Sequence, residues 1–595
     1  MNGAGSDAQV SGSAYTMNPI GFVSSFFTLE RVIWFCVTLI IGWLALVPLA
    51  ILFLASLKES QIPIDLQMSG FTLKNYYEVI TSSVTYRLLL NSLIYTACSV
   101  GIALFAAGAF AYLIQRTDIP FRRTLLVLLI CPLAIPAAVS GMAWTLLGSP
   151  SIGFYNVILR ALFGWTGRGP FDIYSMPGMV MVTAVALIPS FYLILSPVIN
   201  RMDPSLEEAS EICGVSKLNT IRRITLPLLA PAFLGGVIFF FIIVIETFEI
   251  PAILGMPKRI FVFSTLIYQS MYPDTGSLPN YGTGSVYGVI TLGITTLLLL
   301  SYKSIVREQD KYTVVTGKGY RPSTIKLSPA VRWAFFAVIA AYIMFFVIFP
   351  LLILIWASII PYYTTPSLAG FKSLTFNNYI QLVHYPGMSV ALQNTALLVF
   401  VGASGATILA ALASRMAVRG RIAGRDVPEQ LSMFIIAIPG IVLAMALQIV
   451  YTSVSVWIYG TIWIIVIACI TRFLANGTRI LTPAYLQIHP ALEEASGASG
   501  VSPGWTTWRI QVPLLTPALA TFWLWAAIQC MREIPMSIAL SKGGSQTIGV
   551  LLWNMWTQSG NTGLAAALAV VLTIVSAGAG YFVVVLTLLP RKDEN

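Results

Sequence analysis

Residues 204–232 read PSLEEASEICGVSKLNTIRRITLPLLAPA, and residues 490–518 read PALEEASGASGVSPGWTTWRIQVPLLTPA. The two segments stand 286 residues apart and share 17 of 29 positions. Upstream, a second register holds: Asn75-Tyr76 matches Asn378-Tyr379, Asn91 matches Asn394, and Ala134-Ile135-Pro136 matches Ala437-Ile438-Pro439, all 303 apart. The chain is therefore an internal duplication, and periodicity on this scale has to be read before any local motif. The registers differ by 17 residues, so the first copy carries about that many extra residues. They are expected in a loop around Gly148–Ser175, where Phe154–Phe163 reads as a short amphipathic interfacial helix.

Composition sets the solvent in which the repeat folds. Of 595 residues, 57% are hydrophobic and 10% charged, with a mean hydropathy of +0.82. Soluble chains carry roughly 25% charged residues, so most of this chain meets lipid. Runs such as Val32–Ser56 and Gly563–Leu589 exceed the ~20 residues that span a hydrocarbon core. Spans are expected near 32–56, 91–114, 124–147, 176–199, 228–254 and 285–303. A second set is expected near 331–358, 390–414, 430–453, 457–481, 514–540 and 563–589. The fold class is an all-α integral membrane protein, with twelve transmembrane helices as two parallel six-helix repeats around a pseudo-two-fold axis. The expected divisions are a flexible tail (1–30), a first half (31–302), a polar linker (303–330), a second half (331–590) and a short tail (591–595). The first apolar run is too long for the core of a cleaved signal.

The net charge of +11 suggests nucleic acid until its distribution is examined. With the N-terminus placed inside, 24 of 34 basic residues fall in inside segments, Arg472 among them, and nine fall outside. That bias predicts cytoplasmic termini and no nucleic-acid partner. Six scattered cysteines form no CxxC pair, and the two histidines, His384 and His489, stand far apart, so no metal centre is expected.

In each copy the duplicated segment falls between the fourth and fifth spans. Glu207 and Glu208 suit the first turn of a helix beginning at Asp203-Pro204 or Ser205. Gly214 suits a left-handed helix end. Ser502-Pro503 reads as an N-cap and first-turn proline, and Pro227 and Pro513 are expected to stop the second short helix. The product is a helical knob, one per half.

These residues carry a specific resemblance. Glu208-Ala209-Ser210, Gly214 and Ile224-Thr225-Leu226-Pro227, repeated as Glu494-Ala495-Ser496, Gly500 and Ile510-Gln511-Val512-Pro513, resemble the EAA loop of binding-protein-dependent ABC importer permeases. Departures are Ser for the second Ala in both copies and Val512 for Leu. The resemblance implies a type I ABC importer permease fold in the inner membrane, with loops at 203–227 and 489–513. It implies partners: two copies of a cytoplasmic ABC ATPase, a periplasmic or lipid-anchored substrate-binding protein, and membrane lipid. The ATPase-coupling positions it implies are Glu208, Ala209, Gly214, Lys217, Leu218, Ile221 and Arg222 in the first loop. In the second they are Glu494, Ala495, Gly500, Pro503, Trp505 and Trp508. Fused two-half chains with a linker like Tyr312–Pro322 and a segment like Arg532-Glu533-Ile534-Pro535 resemble the ferric-iron subfamily. Thiamine, aminoethylphosphonate and polyamine permeases are related alternatives.

No GxxxxGK[ST] loop is present, so ATP is expected on partner subunits, with no cofactor and no catalytic residue in this chain. Four ionisable residues fall in apolar segments: Glu246, Glu249, Arg532 and Glu533. Such charges cost about 2.5–3.5 kcal/mol each on insertion scales and require a partner or a wet path. They are expected to line or gate a pathway near its outer end, or else Arg532 neutralises a nearby Glu and the Glu-Ile-Pro units mark helix ends. Pro136 and Pro439 are expected to kink the third span of each half. The competing class is a secondary transporter of the major facilitator kind, which the Arg419–Arg425 loop weakly resembles.

Overall fold

The computed structural model describes residues 29–59, 70–200, 205–273, 278–309, 324–420, 422–453 and 457–588. The expected N-terminal tail up to residue 28, the linker core 310–323 and the C-terminal tail lie outside the described residues. So do the side chains of Glu208, Lys217, Leu218 and Ile221.

Among the described residues, nine helices are long and apolar enough to cross a membrane, and three bent pairs, each taken as one span, bring the spans to twelve. The first half crosses with Glu30–Ser56, Ser83–Arg116, the pair Arg122–Ala134 and Ala137–Gly148, Met176–Asn200, the pair Arg222–Ala230 and Phe233–Ile245, and Tyr281–Tyr302. The second crosses with Pro329–Ser358, Met388–Arg419, the pair Val427–Ala437 and Gly440–Ser453, Ile462–Gln487, Pro503–Arg532 and Thr562–Phe582.

The proline kinks are full breaks. The two segments of the third span meet at 104°, and those of the ninth at 109°. Each pair still crosses once. The second span ends at Arg116, whose Nη2 lies 2.6 Å from Oε2 of Glu207, just after the fourth span. Two spans ending on the same face require one crossing between them. Arg419 and Glu493, 2.8 Å apart, repeat the argument in the second half.

Both ends of the molecule carry the duplication in atomic detail. At the end opposite the knobs, Asn75 Nδ2 donates to the carbonyls of Ser56 and Lys58, at 3.1 and 2.8 Å. Asn378 Nδ2 does the same to Ser358 and Ile360, at 3.0 and 2.7 Å. The hydroxyl pairs Ser56–Tyr76 and Ser358–Tyr379 are both 2.8 Å long. Gly282 and Gly563 let the sixth and twelfth spans pass these asparagines, since a Cβ at either would stand 2.8 Å from the amide nitrogen. Phe154–Phe163 forms the expected helix, and its Tyr155 hydroxyl donates to the Phe345 carbonyl of the seventh span at 2.6 Å.

The halves are interlocked. One apolar core combines the second to fifth spans of the first half with the seventh and twelfth, through Ile343, Leu354, Ala566 and Leu568 among others. The other combines the eighth to eleventh spans with the first and sixth, through Ile41, Leu52 and Val286. Each core is thus closed by the outermost spans of the opposite half.

Candidate functional site

Each knob begins with an eight-residue helix, Ser205–Ile212 or Ala491–Ala498. Gly214 and Gly500 then reverse the chain at φ +74° and +75°, a left-handed conformation that favours glycine. A buried hydroxyl pair staples the helix to the following turn: Ser210–Thr220 at 2.8 Å and Ser496–Thr506 at 2.7 Å. The Ser in place of the second Ala of the EAA pattern is therefore a working part of this fold.

Two local expectations need correction. Ser502 occupies the N-cap position, but its side chain makes no cap bond; its carbonyl accepts from Thr506 instead. Pro227 and Pro513 do not stop the short helices either. The chain winds through one π-helical turn, Ile221–Thr225 or Thr507–Gln511, and continues into the span. Proline lacks an N–H and clashes with the carbonyl four residues back, and the widened turn just upstream absorbs both defects. The second knob is one piece with its span, Pro503–Arg532, whereas the first enters a span that bends by 51° after Ala230.

The residue gripping each knob to the membrane body is the glutamate one place before the EAA motif. Glu207 Oε2 meets Arg116, whose side chain is 3% exposed, and its Oε1 accepts from Thr225 at 2.9 Å. In the second half Glu493 meets Arg419, which also donates to the Ile488 carbonyl, while Arg415 reaches Gln511 at 3.2 Å. The motif's second carboxylate, Glu494, is exposed, as are Ala209, Arg222, Ala495 and Pro503. Trp505 and Trp508 are 55% and 69% exposed, and the Arg509 guanidinium lies 5.0 Å from the Trp505 ring centroid. Thus the second knob presents an aromatic, cationic face.

The four apolar-segment charges converge where the halves meet, joined by a residue counted above among the inside basic residues although the span expected at 457–481 contains it. Arg472 sits mid-span, in Ile462–Gln487. Its Nη2 lies 2.7 Å from Glu246 Oε2, and its Nη1 donates to the Ile438 carbonyl at 2.6 Å. Arg532 ends the eleventh helix and donates to the carbonyls of Leu133 and Ile135, both at 3.1 Å. Those carbonyls belong to the breaks before Pro439 and Pro136. Helix ends leave acceptors without intrahelical donors, and a cation there also meets the negative end of the helix dipole. Arg532 therefore neutralises no glutamate directly; it caps a broken helix. Glu533 Oε1 accepts from the Met536 amide at 3.1 Å, capping Pro535–Leu540. Among the described residues, no cluster of His, Cys, Asp or Glu is arranged to hold a metal ion.

This architecture defines a class. Residues 99–311 match the family of binding-protein-dependent transport system inner membrane components. The second half repeats the spans and the knob of that matched stretch, so the chain is built as a multi-pass membrane protein of two fused halves, in keeping with an ABC importer permease subunit. It is similar to the ferric transport system permease protein FbpB of Actinobacillus pleuropneumoniae, at 26% identity over 543 residues, covering 90% of this chain and 76% of that one. The putative ferric transport system permease protein FbpB 1 of Haemophilus influenzae is 26% identical over 475 residues, covering 79% and 72%. The sulfate transport system permease protein CysT of Salmonella typhimurium is 29% identical over 182 residues, covering 29% and 60%.

Proposed function

We propose that this permease passes ferric iron, delivered by a substrate-binding protein on the outer face, into the cytoplasm by alternating access driven by two ABC ATPase subunits. The carrying observation is the pair of knobs. Each leads through a π-helical turn into a span, unbroken in the second half and bent by 51° in the first, each is anchored through a buried or half-buried arginine–glutamate pair, and both lie at one end of the molecule. That end is read as cytoplasmic, in keeping with the loop charges. An ATPase dimer closing on ATP pushes the knobs, and the spans that follow them carry the displacement to the seam between halves. The cargo assignment rests on relatives that match over most of the chain and are named for ferric transport. A ferric cargo needs no resident metal site here, since the binding protein does the selecting.

The test is co-purification with the ATPase and binding protein encoded beside this chain, followed by ATP hydrolysis in lipid nanodiscs. Stimulation by ferric-loaded binding protein, lost on Glu494→Ala, is expected. Stimulation by a sulfate-, thiamine- or polyamine-loaded protein instead would reassign the cargo, and uptake driven by a proton gradient without ATPase would overturn the mechanism.

A further inference from the structure

We propose that Arg472 and Arg532 hold the resting seam shut, and that the Arg472–Glu246 contact parts when the two halves separate. The proposal presumes a permease whose halves move against each other; it does not depend on the cargo or on the identity of the ATPase.

Continued from the knobs, the 286-residue register sets Glu246 opposite Arg532, with opposite charges, before it shifts to 284 at Glu249-Ile250-Pro251 and Glu533-Ile534-Pro535; the counterpart of Arg472 is Ala186. The duplication has thus been made complementary at this point. The second half supplies both guanidinium groups. The first half supplies what they reach across to: the Glu246 carboxylate, and the Leu133 and Ile135 carbonyls at the break of the third span. Glu249 acts electrostatically on both arginines and Glu533 on Arg472, so the cluster gathers two cations and three carboxylates.

The two contacts respond differently to separation. Arg472 keeps its bond to Ile438, within its own half, when Glu246 departs. Both bonds of Arg532 are to the other half, and both are lost. Breaking either contact without replacement leaves charge or carbonyl dipoles bare in an apolar setting, which makes the shut state the low-energy one. An opposing force is then needed to open it, or a ligand that binds the open state better. Purely structural ion pairs would be expected within a half, tying its own spans together. These cross the seam at the hinge-like breaks of the third and ninth spans.

The full chain in nanodiscs, without partners, provides the test. Exposed Cys36, Cys98, Cys131 and Cys213 are replaced by Ser, and spin labels are attached at Asn219→Cys and Ser499→Cys, exposed positions on the two knobs. Pulsed-dipolar distances report the separation of the halves. Arg472→Gln and Glu246→Gln should each raise a second, displaced distance population by about tenfold, the scale of one lost charge-assisted bond. The exchange Glu246→Arg with Arg472→Glu should return the distribution toward that of the parent. Should Arg472→Gln fail to insert, Glu246→Gln reads the same contact while leaving Arg472 its bond to Ile438. Distributions unchanged in both single variants overturn the proposal, as does a well-folded exchange variant that restores nothing.

Discussion

Removing Glu207 should loosen the first knob more than removing Glu493 loosens the second, while removing Glu494 should loosen nothing. The Arg116 and Glu207 side chains are 3% and 14% exposed. Deleting one member of a pair this buried costs about 3–5 kcal/mol, because it takes the close opposite charge away from one that stays buried. The Arg419–Glu493 pair is wetter, at 14% and 27%, and Arg419 retains the Ile488 carbonyl. Its loss should cost about 1–2 kcal/mol after screening. At 1.4 kcal/mol per tenfold, Glu207→Ala should raise local opening of the first knob by about a hundredfold or more, and Glu493→Ala that of the second by about tenfold. Amide hydrogen exchange of peptides covering 205–225 and 491–511, in the full chain in nanodiscs, measures both. Glu494→Ala should leave exchange as in the parent yet abolish coupling to the ATPase. If Glu207→Ala left exchange over 205–225 unchanged, or Glu494→Ala loosened its knob as much as Glu493→Ala, the division into an anchoring and a docking carboxylate would be wrong.

Asn75→Ala and Asn378→Ala each strand two buried carbonyls, and each should lower stability by about 1–3 kcal/mol, read as a fall in thermal midpoint in detergent. Gly214→Ala and Gly500→Ala force a side chain into left-handed backbone at about 1–2 kcal/mol each, which should reach coupled ATP hydrolysis before it reaches overall stability. Asp118 accepts from the Leu327 amide at 3.0 Å and faces Arg332 at 3.4 Å; the Leu327 bond is the chief cause holding its carboxyl below the usual aspartate range. A carboxyl whose folded pKa is depressed contributes stability above its unfolded pKa and loses it as pH falls through the folded one. The strap at 324–332 should therefore stay docked at neutral pH, loosen only below the ordinary aspartate range, and be loosened at neutral pH by Asp118→Asn, as seen by hydrogen exchange of that peptide.

The duplication, the spans and the knobs were legible because they rest on hydrophobic run length and on a repeated register. The same register could have exposed the anchors: Arg116 and Arg419 stand 303 apart, Glu207 and Glu493 286 apart. Arg472 escaped because its counterpart is Ala186 and because it was counted with the inside basic residues although the span expected at 457–481 contains it. Pro227 and Pro513 misled because proline forbids a regular helical bond but not a π-helical detour. The exchange of outer spans between cores left no trace in hydropathy, since a helix facing its own half or the other one needs the same apolar stripe.

That exchange also orders events at the ribosome. The core built around the second to fifth spans takes in Ala566 and Leu568, from the twelfth span, so it cannot close until that span has been made. Folding of the first half therefore waits on a span of the second, through contacts of very long sequence separation. A stop after the eleventh span would leave the core of the second to fifth and seventh spans without its closing helix, and so open to quality control, while the other core had all its spans.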